Sequence, residues 1–310
     1  GTIEAIRVAP TVQTILAARI DRLPETEKRV LHSASVVGTH VPLTILQAIG
    51  EEPEDELRQA VANLQASEFL YESRLFPDIE YTFRHILTRD VAYRSLLQDR
   101  RTALHARVVE AIERQYAARL AEQVERLAHH AMHGEIWNKA VIYLRQAGAR
   151  AHGRWANQEA VTWFEQALTA LTHLPETRER EEQAVDLSLD LRGSLYPLGR
   201  FPAIVTHLTE AQRLAQSLGD QRREGWVALQ LGDCLRQMGR ITDACPLIER
   251  ARGLAGTLQD QALQLAATQY LGLARYAAGD FVSAAELLRW VVSSPDRGAG
   301  NGFGRTNAGS

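Results

Sequence analysis

Three glycines, Gly199, Gly239 and Gly279, stand 40 residues apart, each followed by a polar or charged residue, as "GRF", "GRI" and "GDF". Leu191, Leu231 and Leu271 keep the same step, and so do the apolar trios Ile204/Leu208/Ala211, Ala244/Ile248/Ala251 and Ala284/Leu288/Val291. "LGDQ" at 218–221 and "LQDQ" at 258–261 repeat in phase. A period of this length with helical spacing inside it predicts a helix, a glycine turn and a second helix per unit, with small residues where the two helices cross. One such pair cannot bury its own apolar face, so several must stack.

Residues 140–171 read as an earlier hairpin of the same kind, with Ala160, Phe164 and Ala167 at second-helix spacing. That spacing, with Leu231-Gly232 and Leu271-Gly272 in the first helices, matches the tetratricopeptide pattern. The 40-residue step makes these lengthened variants of a usual 34.

Ahead of the repeats the pattern differs. Residues 11–23 place Val12, Ile15, Leu16, Ile20 and Leu23 on a helix that Pro24 interrupts. Three helices are expected next: from "PETEKRVLHSASVVG", where Thr26 or Glu25 can cap and Gly38 suits the end, from "VPLTILQAI", and from "PEDELRQAVANLQAS". The period then falls to 2, with Phe69 and Tyr71, then Ile79, Tyr81 and Phe83, alternating with polar neighbours across a turn at Pro77-Asp78. Three helices and a two-stranded hairpin are the plan of a winged helix. The expected fold is therefore mainly α, with a small winged-helix domain at 25–100 and a tetratricopeptide-like superhelical array at 101–293. Residues 1–24 precede them, and the Gly-rich 294–310 read as a disordered tail.

Composition excludes more than it suggests. The net charge is −3, and 33 of the 35 basic residues are Arg, so arginine counts carry little weight. Cys234 and Cys245 are too few for a disulfide framework or a metal knuckle, which suits a cytoplasmic protein. No apolar run reaches the roughly 20 residues of a membrane span, and the first residues lack a signal-peptide layout. The chain has no P-loop, G-x-G-x-x-G, H-E-x-x-H or G-x-S-x-G motif, so no catalytic and no cofactor-binding residue is assigned.

Two clusters invite chemistry. His129 and His133 are four apart on a helix and could share a zinc ion, but no recognised spacing brings His85 or His105 in as a third ligand, so no metal site is assigned. Between Arg84 and Arg119, eight arginines face four acids. A basic flank beside a winged helix could lie on DNA, yet the helix that would enter the groove begins with Glu54, Asp55 and Glu56. The stretch 79–105 is better read as a joint between the hairpin and the helices that follow, with Phe83/Leu87/Val91 and Leu104/Val108/Ile112/Tyr116 buried. Partner contacts are assigned from periodicity to first-helix residues Arg192, Gln230, Asp233, Gln269 and Tyr270.

"VQTILAARIDRLPETEKRVLHSASVVG", "LQASEFLYESRLFPDIEYTFRHILTRDVAYRSLLQDRRTALHARVVEAIE" and "ERLAHHAMHGEIWNKAVIYLRQAGARA" together resemble the region that follows the ATPase module in large bacterial adenylate/guanylate cyclase-like signalling proteins of the STAND class. The resemblance covers about residues 10–290. It implies that 1–24 end the ATPase lid, that ATP and Mg belong to an upstream domain, and that this region is regulatory. The winged helix would be a hinge, and the repeats would receive a protein partner or the protein's own ATPase domain. The rival reading is the corresponding region of an ATP-dependent transcription regulator, with DNA contact by the winged helix or by another domain. A free-standing hydrolase using His129/His133 is a third and weaker reading.

Overall fold

The structure, a computed structural model, describes residues 10–75 and 78–294. Residues 1–9 of the expected lid region at 1–24, Pro77 of the expected turn and residues 295–310 of the expected tail at 294–310 lie outside them. The chain divides into two compact units, one up to Tyr143 and one from Leu144.

In the first unit, prolines set the helix starts. Helix α1 (Pro10–Asp21) stops before Pro24, which directly precedes α2 (Glu25–Val37); Pro42 and Pro53 likewise precede α3 (Leu43–Ile49) and α4 (Glu54–Ala66). A proline inside a helix removes a backbone hydrogen bond, whereas its fixed φ suits the residue before one. Leu31, Ile45, Leu46, Ile49, Leu57 and Leu64 are the fully buried centre of these helices. Each such side chain contributes roughly 1.5–3 kcal/mol.

The expected two-stranded hairpin is a three-stranded antiparallel sheet. Strand β1 (His40–Pro42) joins β2 (Leu70–Arg74) and β3 (Glu80–Phe83) in the order β1-β3-β2. Three residues are too few for alternation to show, so β1 hid within what read as the start of a helix. The parity of β2 also differs from expectation: Leu70 is buried and Tyr71 exposed. Glu68 is left-handed at φ 60° and the Phe69 amide bonds the Leu64 carbonyl, so Phe69 closes the α4 end and the strand begins one residue later. On β3, Tyr81, Thr82 and Phe83 are all buried, Thr82 through its hydroxyl bond to the Thr39 carbonyl.

The joint at 79–105 continues as α5 (Ile86–Ser95) and α6 (Gln98–Gln115). Phe83, Leu104, Val108 and Ile112 are buried as expected, whereas Leu87, Val91 and Tyr116 are only half-buried; α6 packs on α2 and α3. A 3₁₀ segment (Ala117–Gln123) leads to α7 (Val124–His133). Helices α6 and α7, grouped with the repeats on sequence, thus lie in the first compact unit. Helix α8 (Trp137–Gly153) begins there and ends in the second.

In the second unit, α9 (Asn157–Thr172) is followed by three hairpins: α10 (Arg178–Leu195) with α11 (Phe201–Leu218), α12 (Gln221–Gln237) with α13 (Ile241–Leu258), and α14 (Gln261–Ala277) with α15 (Phe281–Ser293). Gly199, Gly239 and Gly279 occupy the turns at φ 67°, 77° and 83°, a region that costs other residues a Cβ clash. The "LGDQ" and "LQDQ" repeats are linkers between hairpins. Gly219 and Gln259 end the preceding helix in left-handed geometry, and the Asp220 and Asp260 carboxylates accept from the amides of Arg223 and Leu263 to cap the next. Gln259 is the non-glycine of this pair, at φ 55°. Gln259→Gly is expected to raise stability by about 0.5–1 kcal/mol, and Gly239→Ala to lower it by about 1–2 kcal/mol, both read by thermal unfolding.

The close helix crossings are equally specific. A Cβ on Gly232 would lie 2.6 Å from Ile248 Cγ1, one on Gly272 2.9 Å from Leu288, and one on Gly148 2.6 Å from the Phe164 ring. No helix among the described residues is long and apolar enough to cross a membrane.

Candidate functional site

The first helices of successive hairpins are tied by ion pairs. In the second unit Arg145 Nε meets Asp190 at 2.7 Å, Arg223 meets Asp186 at 2.8 and 3.0 Å, and Arg192 Nη2 meets Asp233 Oδ2 at 2.8 Å. Burial raises the Asp190 carboxyl above the usual range despite its arginine, whereas hydrogen bonding to Asp186 holds the Arg223 guanidinium charged.

The Arg192–Asp233 pair is the most enclosed, with side chains 7% and 1% exposed. Asp233 also accepts from Arg236 at 2.7 Å, and the Arg192 guanidinium lies 4.4 Å from the centroid of the Tyr196 ring. The Tyr196 hydroxyl accepts from Gln237 Nε2. Tyr270 is close enough for its phenol to be pushed up to about 12, chiefly by burial and then by the Asp233 charge. Gln230 Oε1 is buried and has no hydrogen-bond partner among the described residues.

Of the residues assigned from periodicity, the fold therefore brings Arg192, Asp233 and Tyr270 together. Arg192 and Asp233 are consumed in the pair they form and are closed to solvent; Gln269 is exposed and Tyr270 half-buried. The 41-residue gap between Arg192 and Asp233 is nearly one repeat, a signal that would have marked them as partners of each other. Tyr196, Arg236 and Gln237 were missed, although Gln230, Asp233 and Gln237 share one face of α12.

The basic flank is partly spoken for. Arg107 bonds Glu51 and the Gly50 carbonyl, Arg89 bonds the Ser35 carbonyl, and Arg101 stacks 5.1 Å from the Tyr93 ring. Glu54, Asp55 and Glu56 are exposed at the start of α4, with Glu54 held by Arg58. Cys234 and Cys245 are free thiols; burial pushes Cys234 up to about 11.

The histidines converge more than their spacing implied. Sequence offered no third partner for His129 and His133, but packing of α6 on α7 supplies His105 and His130. His105 Nδ1 lies 2.8 Å from His130 Nδ1, and His105 Nε2 lies 2.9 Å from the Tyr93 hydroxyl. The His129 and His133 rings are 4.4 Å apart between centroids and stand 5.7 and 5.1 Å from His105. Burial, then the neighbouring rings and arginines, lowers His105 to about 3, and His130 is well below its ordinary value; His129, desolvated where it meets the cluster but open to solvent on its outer side, is lowered to about 4 by that desolvation and by His133. The cluster is thus neutral at physiological pH.

Antiparallel helix pairs on a 40-residue step, each pair closing over a glycine, define a tetratricopeptide-like repeat protein. No family model matches the chain. An uncharacterized protein of Rhizobium meliloti (strain 1021), R02095, is 29% identical over 170 residues; the match covers 54% of this chain and 16% of that one. Among solved structures, the apo form of RapI aligns with a TM-score of 0.50 at 10% identity, over 84% of this chain and 65% of RapI. BtubC (BKLC) from P. vanneervenii aligns at 0.49 and 18% identity, over 72% and 90% of the two chains. A signal transduction ATPase with numerous domains and a tetratricopeptide repeat sensor, from Pyrococcus horikoshii, aligns at 0.36 and 13% identity, over 90% and 52%. The RapI likeness concerns the fold alone.

Proposed function

We propose that this chain is a non-catalytic regulatory and protein-interaction region of a multidomain, ATP-dependent signalling protein resembling the adenylate/guanylate cyclases of the STAND class. The carrying observation is the face built by α10, α12 and α14, where ion pairs tie α10 to α12, Gln230 Oε1 is left without a hydrogen-bond partner among the described residues, and α14 presents Gln269 and Tyr270. A fixed scaffold lined by amides and a phenol suits recognition of a polypeptide, because backbone groups of a docked chain can meet those amides. Residues 1–24 are read as the end of the ATPase lid.

The winged-helix reading of 25–100 draws support from the element order: α2, β1, α3 and α4, then β2 and β3, with β3 central in the sheet. In this role the module is a hinge that packs on the ATPase, and binding at the repeats shifts the closed and open forms of the enzyme according to its affinity for each. The exposed carboxylates of α4 oppose a DNA-reading role for the module.

The test is association between residues 1–310 and the ATPase module of the same polypeptide, measured by sedimentation, with a random DNA duplex at two salt concentrations as the competing ligand. Association weakened about tenfold by Gln269→Ala with Tyr270→Ala is the expected result. Binding to DNA instead, falling steeply with salt and lost in Arg94→Glu/Arg100→Glu, would establish the transcription-regulator reading.

A further inference from the structure

We propose that His105, His129 and His130 form a binding site for one zinc-class transition ion, with the adjacent His133 or a solvent oxygen as a further ligand. Helices α6 and α7 bring one ring nitrogen from each of the three to within 4.8 Å of one another. Zinc–imidazole bonds of about 2.0–2.1 Å in a tetrahedron set ligand nitrogens about 3.3 Å apart. The 2.8 Å between His105 Nδ1 and His130 Nδ1 reaches that value by a small rotation of either ring.

The neighbours of the cluster match what coordination needs. A ligating histidine donates its second ring N–H to an oxygen, which fixes the tautomer and aims the other nitrogen at the ion. The Tyr93 hydroxyl stands at this position for His105, 2.9 Å from Nε2. With Nε2–H donated to Tyr93, the Nδ1 lone pair of His105 faces His130. In the ion-free pair His130 Nδ1–H donates to it, and coordination through that nitrogen moves the His130 proton to Nε2.

Access and selectivity follow from burial and charge. His105 and His130 are 1% and 3% exposed, whereas His129 is on the surface, so an ion enters over His129 and is held from beneath. Imidazole without carboxylate excludes calcium and magnesium, which take oxygen ligands, and suits zinc, cobalt, nickel or copper. Arg89, Arg101 and Arg126 supply the nearby charge and favour an anion or hydroxide over neutral water as an exogenous ligand. Such an ion would cross-link α6 to α7 and, through Tyr93, to α5.

The experiment is titration of the chelator-stripped 310-residue chain with cobalt(II), followed by its visible absorption, and with zinc(II) by calorimetry. One ion per chain, bound at least about tenfold more weakly by His129→Ala and by Tyr93→Phe, is the expected result. The exposed position of His129 keeps that variant folded, which circular dichroism checks. Failure to take up either ion, or uptake unchanged in His129→Ala, would overturn the proposal.

Discussion

Asp233→Ala is expected to destabilise the repeat unit by about 3–5 kcal/mol, the cost of leaving a buried charge without its partner. Arg192 is 7% exposed and stacks against Tyr196, so it cannot swing out to water when Asp233 is removed. Arg236, 15% exposed, has an easier route to solvent and adds less. The double variant Asp233→Ala/Arg192→Met should recover most of the loss, because a pair replaced by apolar groups of similar volume is often neutral. Urea unfolding of the four members of the cycle gives the coupling directly. A loss of less than about 1 kcal/mol in the single variant would mean that the pair is solvated and not enclosed.

Phe164→Ala is expected to cost a similar amount, about 3–5 kcal/mol, for a different reason. Phe164 is 2% exposed, and its ring occupies the space that a side chain at position 148 would need. Removal leaves a cavity flanked by helix backbone, which collapses poorly. Gly148→Ala alone should also destabilise, since its Cβ would sit 2.6 Å from ring carbon Cε1, outweighing the helix propensity gained. Combined as Gly148→Ala/Phe164→Leu, the two changes should cost less than their sum. Strict additivity would show that the helices do not cross where these residues place them.

Both sites illustrate what a sequence exposes. Gly232 and Gly272 were legible because a period of 40 sets like positions side by side, and close helix crossings tolerate only the smallest residue; Gly148 lies off that step and shows itself only through its contact with Phe164. The turn glycines were legible for the same reason. Strand β1 was not, since three residues between Thr39 and Leu43 offer no periodicity and its pairing with β3 spans some 40 residues of chain. Nor could Tyr71 be told from Leu70 as the inward residue, because the one-residue shift comes from the left-handed Glu68, which no pattern of apolar residues encodes.

The two candidate sites differ in the same way. Arg192, Asp233 and Tyr270 were singled out as partner contacts because they recur near the repeat spacing, and the pairing that buries Arg192 and Asp233 against each other was not foreseen. The histidine cluster joins residues 24 and 25 apart on two helices whose packing is a property of the unit and not of either segment. Local spacing picked out His129 and His133; only tertiary contact adds His105 and His130.

The ties between first helices give the array a direction of stiffness. Charge-assisted hydrogen bonds of this kind weaken steeply once donor and acceptor move out of line. A tilt between neighbouring hairpins therefore strains Asp186–Arg223 and Arg192–Asp233 first, and relaxes once either lets go. A polypeptide that competed for Arg223, the more exposed of these arginines, would loosen one junction and leave the hairpins on each side intact, turning a contact of a few side chains into a change of angle carried along the stack.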